Sequence, residues 1–285
     1  MERNQLIGML NKDLAEEHAA IIRYLVHSYQ EGEDTVMGAS LLSRSREEMW
    51  HMHWLGMIIG RLGGEPDFAP AVYPFDPTNR ATMLKSYIAY EEKLIPHYNS
   101  EADKVSDPHI KRVLLREAWE SAIHARRFQR LLDKLDKDEA HSLPGGSAEL
   151  PKDFLERLQR ELADKYREML QHIRTSWVFQ KEESTGWELM NQAMEKMKHL
   201  ALFTEAVAED GAAPRLIPTP ILSKAENVKD ALIEARTDLE EKMRGHKELL
   251  SDGEFRKHGG LVVKLDLALQ QEEHQCEEIG DWLKS

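Results

Sequence analysis

The chain has 285 residues, 41% of them hydrophobic and 31% charged, with a formal net charge of −13 and a single cysteine, Cys276. That length suits one large or two ordinary domains, and the mixture is that of a folded soluble protein. The acidic balance excludes the basic footprint of a nucleic-acid binder, and one cysteine excludes a disulfide framework, a thiolate cage and a rubredoxin-type iron centre.

Apolar spacing is helical nearly throughout, which predicts an all-α protein. A first helix reads over 4–29, with Leu6, Met9, Leu10, Leu14, Ile21, Leu25 and Tyr29 near one stripe. A second reads over 35–62 and stops at Gly63-Gly64-Glu65-Pro66. A long connection with Pro66, Pro70, Pro74 and Pro77 follows, then a third helix over 78–104, where Pro96 predicts a kink. Ser106-Asp107-Pro108-His109 reads as a turn and helix start, and a fourth helix runs to about 135. Residues 136–151, with Pro144, Gly145, Gly146 and Pro151, read as a linker. Apolar runs such as 261–263 are too short to span a bilayer, and no signal-like segment opens the chain, so a cytoplasmic protein without a membrane partner is expected.

Beyond the linker the pattern repeats. Residues 10–30 align with 158–178 at an offset of 148, which also brings His51 onto His199, Gly63 onto Gly211 and Pro66 onto Pro214. Glu91–His97 aligns with Glu240–His246 at 149, and His124 with His274 at 150. These coincidences predict two copies of one four-helix unit, over 1–135 and 152–285, each with a long connection between its second and third helices.

In bundles of this kind metal ligands project inward, one glutamate from each of two helices and a Glu-x-x-His pair from each of the other two. Positions three apart are neighbours on a helix, so Glu48 and His51 form such a pair. The fourth helix offers His124, but Ser121 stands where its glutamate would be, leaving Glu120 and Glu117 as alternative donors. The first and third helices offer Glu17 and Glu91, each followed seven residues later by a tyrosine, Tyr24 and Tyr98. That matched spacing favours Glu17 over Glu16 and Glu91 over Glu92. Carboxylates can bridge two cations, and imidazole suits iron and similar metals. Taken singly, Glu17 would be a solvated helix carboxylate and His51 a core histidine; the metal reading rests on four helices converging. His53, some 200° round the helix from His51, is separate from the site. His18 and His97 read as outer or surface groups, and Met49, Met52, Met57, Trp50 and Trp54 as core filling.

The segments Glu17–Tyr24, Glu47–Trp54 and Glu91–Tyr98 resemble the ferritin-like superfamily, nearest to bacterioferritins and rubrerythrin-type proteins. Glu17-x-x-Ala20-x-x-x-Tyr24 is similar to the bacterioferritin first-helix motif, and Glu48-Met49-Trp50-His51 to its second-helix motif. The resemblance covers the first copy and weakly the second. It implies two tandem ferritin-like four-helix bundles and a pair of non-haem metals, usually iron, with manganese and zinc left open. Glu17 and Glu91 would be single carboxylates, Glu48 a bridge, and His51 and His124 nitrogen ligands. Tyr24 or Tyr98 would be a nearby redox-active or hydrogen-bonding group, or simply packed. Ser121 departs from the pattern and puts the second bridge in question.

In the second copy the same alignment puts Lys165 at Glu17, Lys196 at Glu48 and Gln271 at Ser121, while Glu240, His199 and His274 remain. Protonated lysines repel cations, so this copy is expected to have a degenerate site, its charge balanced by Lys165 or Lys196 with Glu240. Asp164, Glu195, Glu272 and Glu273 read as lying on shifted faces. The leading expectation is an oxidoreductase using oxygen or peroxide with an electron donor. The alternatives are an iron-handling protein without organic substrate turnover and a non-catalytic, stress-related helical protein with decayed sites. The two copies would form an internal pseudo-dimer able to pair further as a homo-oligomer.

Overall fold

The computed structural model describes residues 1–144, 150–181, 183–217, 220–221 and 224–284, with the side chains of 183–185 left aside. Every regular element among the described residues is helical: α1 (Arg3–Glu31), α2 (Val36–Arg61), α3 (Arg80–Lys104), α4 (Pro108–Leu132), α5 (Lys137–His141), α6 (Lys152–Val178), α7 (Glu183–Glu209), α8 (Val228–Ser251) and α9 (Gly259–Trp282), with a 3₁₀ turn at Phe255–Lys257. Among the described residues no helix is long and apolar enough to cross a membrane. The chain divides into two compact units, Met1–Ala148 with Ala208–Ala213, and Glu149–Val207 with Pro214–Ser285.

In the first unit α1 packs along α2, α3 along α4, and α2 against α4. The helix starts are written in polar side chains that take up orphan backbone N–H groups. Thr35 accepts from Gly38 N–H, Asn79 from Thr82 N–H, and Asp107 from His109 and Ile110 N–H just ahead of Pro108 at the first helical position. Gly38 allows a close approach of α1 and α2, since a Cβ there would lie 2.0 Å from the Gly32 carbonyl oxygen. α3 runs through Pro96 without a break in its helical assignment. The segment expected as a linker is partly ordered onto this unit: residues 137–141 form α5, and the Ser142 carbonyl accepts the Arg80 N–H at 3.0 Å. Residues 145–149 of that segment lie outside the described residues.

The long connection between α2 and α3 closes over α1 and α3. Ala71 N–H donates to the Ala15 carbonyl at 2.8 Å, and the buried His18 donates through Nδ1 to the Phe68 carbonyl at 2.8 Å. Tyr73 stacks on Tyr90 with ring centroids 3.9 Å apart. His18 is thus a buried fastener of this loop. Trp50, read as core filling, is instead 59% exposed; its neighbour His51 takes the inward position, so Trp50 is turned outward by about 100°.

In the second unit α8 packs along α9 and α6 against α8. Its burial pattern matches the first unit at an offset of 148 on α6, α7 and α8, and of 151 on α9. The alignment at 149 and 150 therefore slips by one residue on each of the last two helices. Glu240 and His274 are consequently exposed, and buried Leu239 and Gln275 stand in the places of Glu91 and His124.

Candidate metal centre

Glu17 on α1, Glu48 and His51 on α2, Glu91 on α3 and Glu117 and His124 on α4 all point into one interior and are at most 2% exposed. Two groups of them could each hold a cation: Glu17, Glu48 and His51, and Glu48, Glu91 and His124. Glu48 belongs to both. Its Oε2 lies 2.7 Å from His51 Nδ1, and its Oε1 lies 2.7 Å from His124 Nδ1. Glu17 Oε2 completes the first group 3.1 Å from His51 Nδ1, and Glu91 Oε1 the second at 3.4 Å from His124 Nδ1. The two imidazole rings are nearly parallel, with centroids 6.1 Å apart.

The outer face of each histidine is fixed. His51 Nε2 donates to Glu120 at 2.5 Å, and His124 Nε2 donates to Glu47 at 2.6 Å. Arg116 in turn holds Glu120 at 2.9 Å, and Arg44 holds Glu47 at 2.6 Å. A carboxylate on the far nitrogen sets the tautomer that turns the Nδ1 lone pair inward and raises its basicity, which is how metal-ligating histidines are ordinarily oriented. Glu120, a candidate ligand from sequence, is therefore placed behind His51 rather than beside the other carboxylates. Glu47, next in sequence to Glu48, carries no spacing signal that would mark it in the sequence.

The single carboxylates are held by tyrosines. Tyr24 donates to Glu91 at 2.7 Å and lies 3.2 Å from the Tyr73 hydroxyl, and Tyr98 donates to Glu17. Each tyrosine spaced seven residues after a glutamate thus serves the other helix's glutamate. Ser121 is buried, and Glu117, one turn before it, is fully buried with neither oxygen hydrogen-bonded.

Glu91 Oε2 and both oxygens of Glu117 have no hydrogen-bond partner, and Glu48 Oε1 and His124 Nδ1 have none but each other. His124 Nδ1 and Glu48 Oε1 lie 2.7 Å apart, close enough to share a proton in the metal-free protein or a cation in its place. Buried polar atoms left unpaired are costly unless something else satisfies them. The charge count identifies what fits. Glu17, Glu48, Glu91 and Glu117 carry −4 when ionised, and two divalent cations balance them with both histidines neutral. Without cations the site makes do with protons. Burial, then Glu48, pushes Glu17 up to about 7, and burial, then Glu17, pushes Glu117 far above the usual carboxylate range. Burial alone would lower His51 and His124, but Glu17 and Glu48 raise the first, and Glu48 and Glu91 the second, well above the usual histidine value.

The second unit fills the corresponding interior with its own cations. Lys165 Nζ donates to Glu272 at 2.6 Å and lies 5.5 Å from the Phe203 ring centroid. Lys196 lies 3.5 Å from Glu168, and His246 Nδ1 is 2.8 Å from Glu272. The partners of the two lysines are thus Glu272 and Glu168, not Glu240, which faces solvent and pairs with Arg236. Glu272, expected on a shifted face, is 1% exposed because the α9 register places it where Ser121 stands in the first unit. Burial would raise its carboxyl, but Lys165 and His246 hold it far below the usual range. His199 is pushed down to about 4 by burial, then by Lys165.

No family model matches the chain, and no curated protein matches it.

Proposed function

We propose that the first unit is a ferritin-like bundle that holds two non-haem metal ions, iron foremost, and acts as an oxidoreductase on oxygen or peroxide. One observation carries this reading: Glu48 turns one oxygen to each of two histidine–glutamate groups, so a single carboxylate spans two positions that could each hold a cation. Iron bound there would supply redox electrons to the oxidant.

The protein's contribution is orientation and exclusion of water. Glu120 and Glu47 fix the ring of each histidine, and Tyr98 and Tyr24 fix the free rotamers of Glu17 and Glu91. Tyr24 and Tyr73 place hydroxyl protons beside Glu91, within reach of a reacting group at that end. Ser121 offers only a hydroxyl where the ferritin-like pattern has a second bridging carboxylate, and Glu117 sits one turn back. This asymmetry favours unequal coordination of the two ions. The second unit, with ammonium groups in place of cations, would be a metal-free bundle.

Elemental analysis of full-length protein never exposed to chelator, beside Glu48→Ala, tests the reading. Bound metal in the wild type, lost in the variant, with peroxide consumption when a reductant is supplied, is the expected result. Bound metal without turnover would replace it with the metal-handling reading, and absence of metal would leave a non-catalytic helical protein.

A further inference from the structure

A second kind of cluster lies one turn from the buried centre, outside the set that the four-helix pattern predicts. Asp13 on α1 is fully buried, and its Oδ1 is partnered by His97 Nε2 at 2.8 Å. Its Oδ2 has no donor other than a carboxyl proton shared with Glu101. Glu101 on α3, one turn after His97, brings Oε2 to 3.7 Å from the same histidine nitrogen. The three residues each offer a ligand atom within 4.8 Å of the others. His97 is about one-third exposed, so the cluster opens to solvent on one side.

The contact between His97 and Asp13 accounts for only one of the two carboxyl groups. Burial raises both carboxyls, Asp13 to about 7 and Glu101 to about 8, and the two are hydrogen-bonded to each other, so in the metal-free protein a shared proton stands where a cation would bind. The other charges nearby are Lys12 and Lys104, which weakly favour the ionised carboxylates, and Glu16 and Glu17, which add negative potential. A cation of charge two in place of that proton would engage both carboxylates and the imidazole at once. Two carboxylates and one imidazole suit a divalent first-row metal ion such as Fe²⁺, Mn²⁺, Co²⁺ or Zn²⁺, with water completing the shell on the open side.

We propose that Asp13, His97 and Glu101 form a third cation site, a solvent-open station for one divalent first-row metal ion on the way to Glu17. Asp13 precedes Glu17 by four residues on α1, about 6 Å along the helix. Tyr98, next to His97, donates its hydroxyl to Glu17. The site therefore joins solvent to the first of the two buried triads along the α1–α3 seam. Binding at this site stands without the buried pair; its role as a feeder rests on the reading given under Proposed function.

The test is titration of metal-stripped, full-length protein with Co²⁺, counting bound ions by equilibrium dialysis and following the rate of uptake. Wild type should bind three ions, His97→Ala and Glu101→Gln two, and Glu48→Gln one. In His97→Ala the affinity of the outer site should fall at least tenfold, and the buried pair should fill at least tenfold more slowly to the same final level. His97 is partly exposed, so its alanine variant should keep the wild-type circular dichroism; Glu101→Gln keeps shape and removes only charge. Equal counts in wild type, His97→Ala and Glu101→Gln would overturn the third site while leaving the buried pair intact. One ion in wild type, lost in His97→Ala but kept in Glu48→Gln, would uphold the third site and overturn the dimetal reading. An unchanged filling rate in His97→Ala would overturn the feeding role.

Discussion

Removing Glu48 should have a consequence that no other single ligand shares. Glu17 belongs to one triad and Glu91 to the other, whereas Glu48 lies 2.7 Å from the inward nitrogen of both histidines. Losing even an outer partner of a metal ligand costs about 10–100-fold in affinity, so losing a direct donor from a three-residue set should cost at least about 100-fold, or about 2.8 kcal/mol per ion. For Glu17→Gln or Glu91→Gln that penalty falls on one ion, and for Glu48→Gln on both. The comparison is cleanest in a His97→Ala background, which removes the outer site. With free Co²⁺ held at tenfold the wild-type dissociation constant, the two single-triad variants should each retain one buried ion. Glu48→Gln should hold both positions only about one-tenth filled. Dialysis with elemental counting reads this directly. If Glu48→Gln loses a single ion, or Glu17→Gln empties both positions equally, the sharing of Glu48 is wrong.

Three other outcomes follow from the same geometry. His51 and His124 carry protons in the metal-free protein at neutral pH because neighbouring carboxylates raise them, so a cation must displace those protons. Binding should weaken as pH falls and release at least one proton per ion, which calorimetry in two buffers of different ionisation enthalpy would detect; no net release would refute it. In the second unit, Lys165→Ala leaves Glu272 buried without its ammonium partner and should cost about 3–5 kcal/mol in urea unfolding, against under 1 kcal/mol if the pair is incidental. His18, pushed down to about 4 by burial, stays neutral in the folded state while the unfolded chain titrates near 6.5. The unfolded state binds the extra proton between those values, so this residue should withdraw about 3 kcal/mol of stability as pH falls from 6.5 to 4. His18→Gln, which can still donate to the Phe68 carbonyl, should flatten that slope; an unchanged slope would contradict it.

The helices and the inward residues of the first unit were legible because a 3.6-residue repeat fixes which side chains share a face. That rule places Glu48 with His51, and Glu117 with Ser121 and His124, without any coordinates. It says nothing about which nitrogen of a histidine faces inward, so Glu120 read as a ligand when it holds the outer nitrogen of His51. Glu47 was invisible for the same reason. The second unit failed at register: one-residue slips on α8 and α9 rotate each helix by about 100°, which hides Glu272 and exposes Glu240 and His274. The Asp13–His97–Glu101 cluster left a faint trace, a histidine and a carboxylate four apart on one helix, but its third member lies on another helix. Only the packing of α1 against α3 brings them together.

The central claim is that two cations sit within the first unit and share Glu48. Crystals of the iron- or manganese-loaded protein, measured on both sides of the metal absorption edge, test it most directly. The account predicts two buried anomalous peaks, one among Glu17, Glu48 and His51 and the other among Glu48, Glu91 and His124, with none in the interior of the second unit. Fully loaded crystals with no peak at either triad, or with a single ion in the buried centre that Glu48 does not touch, would contradict it.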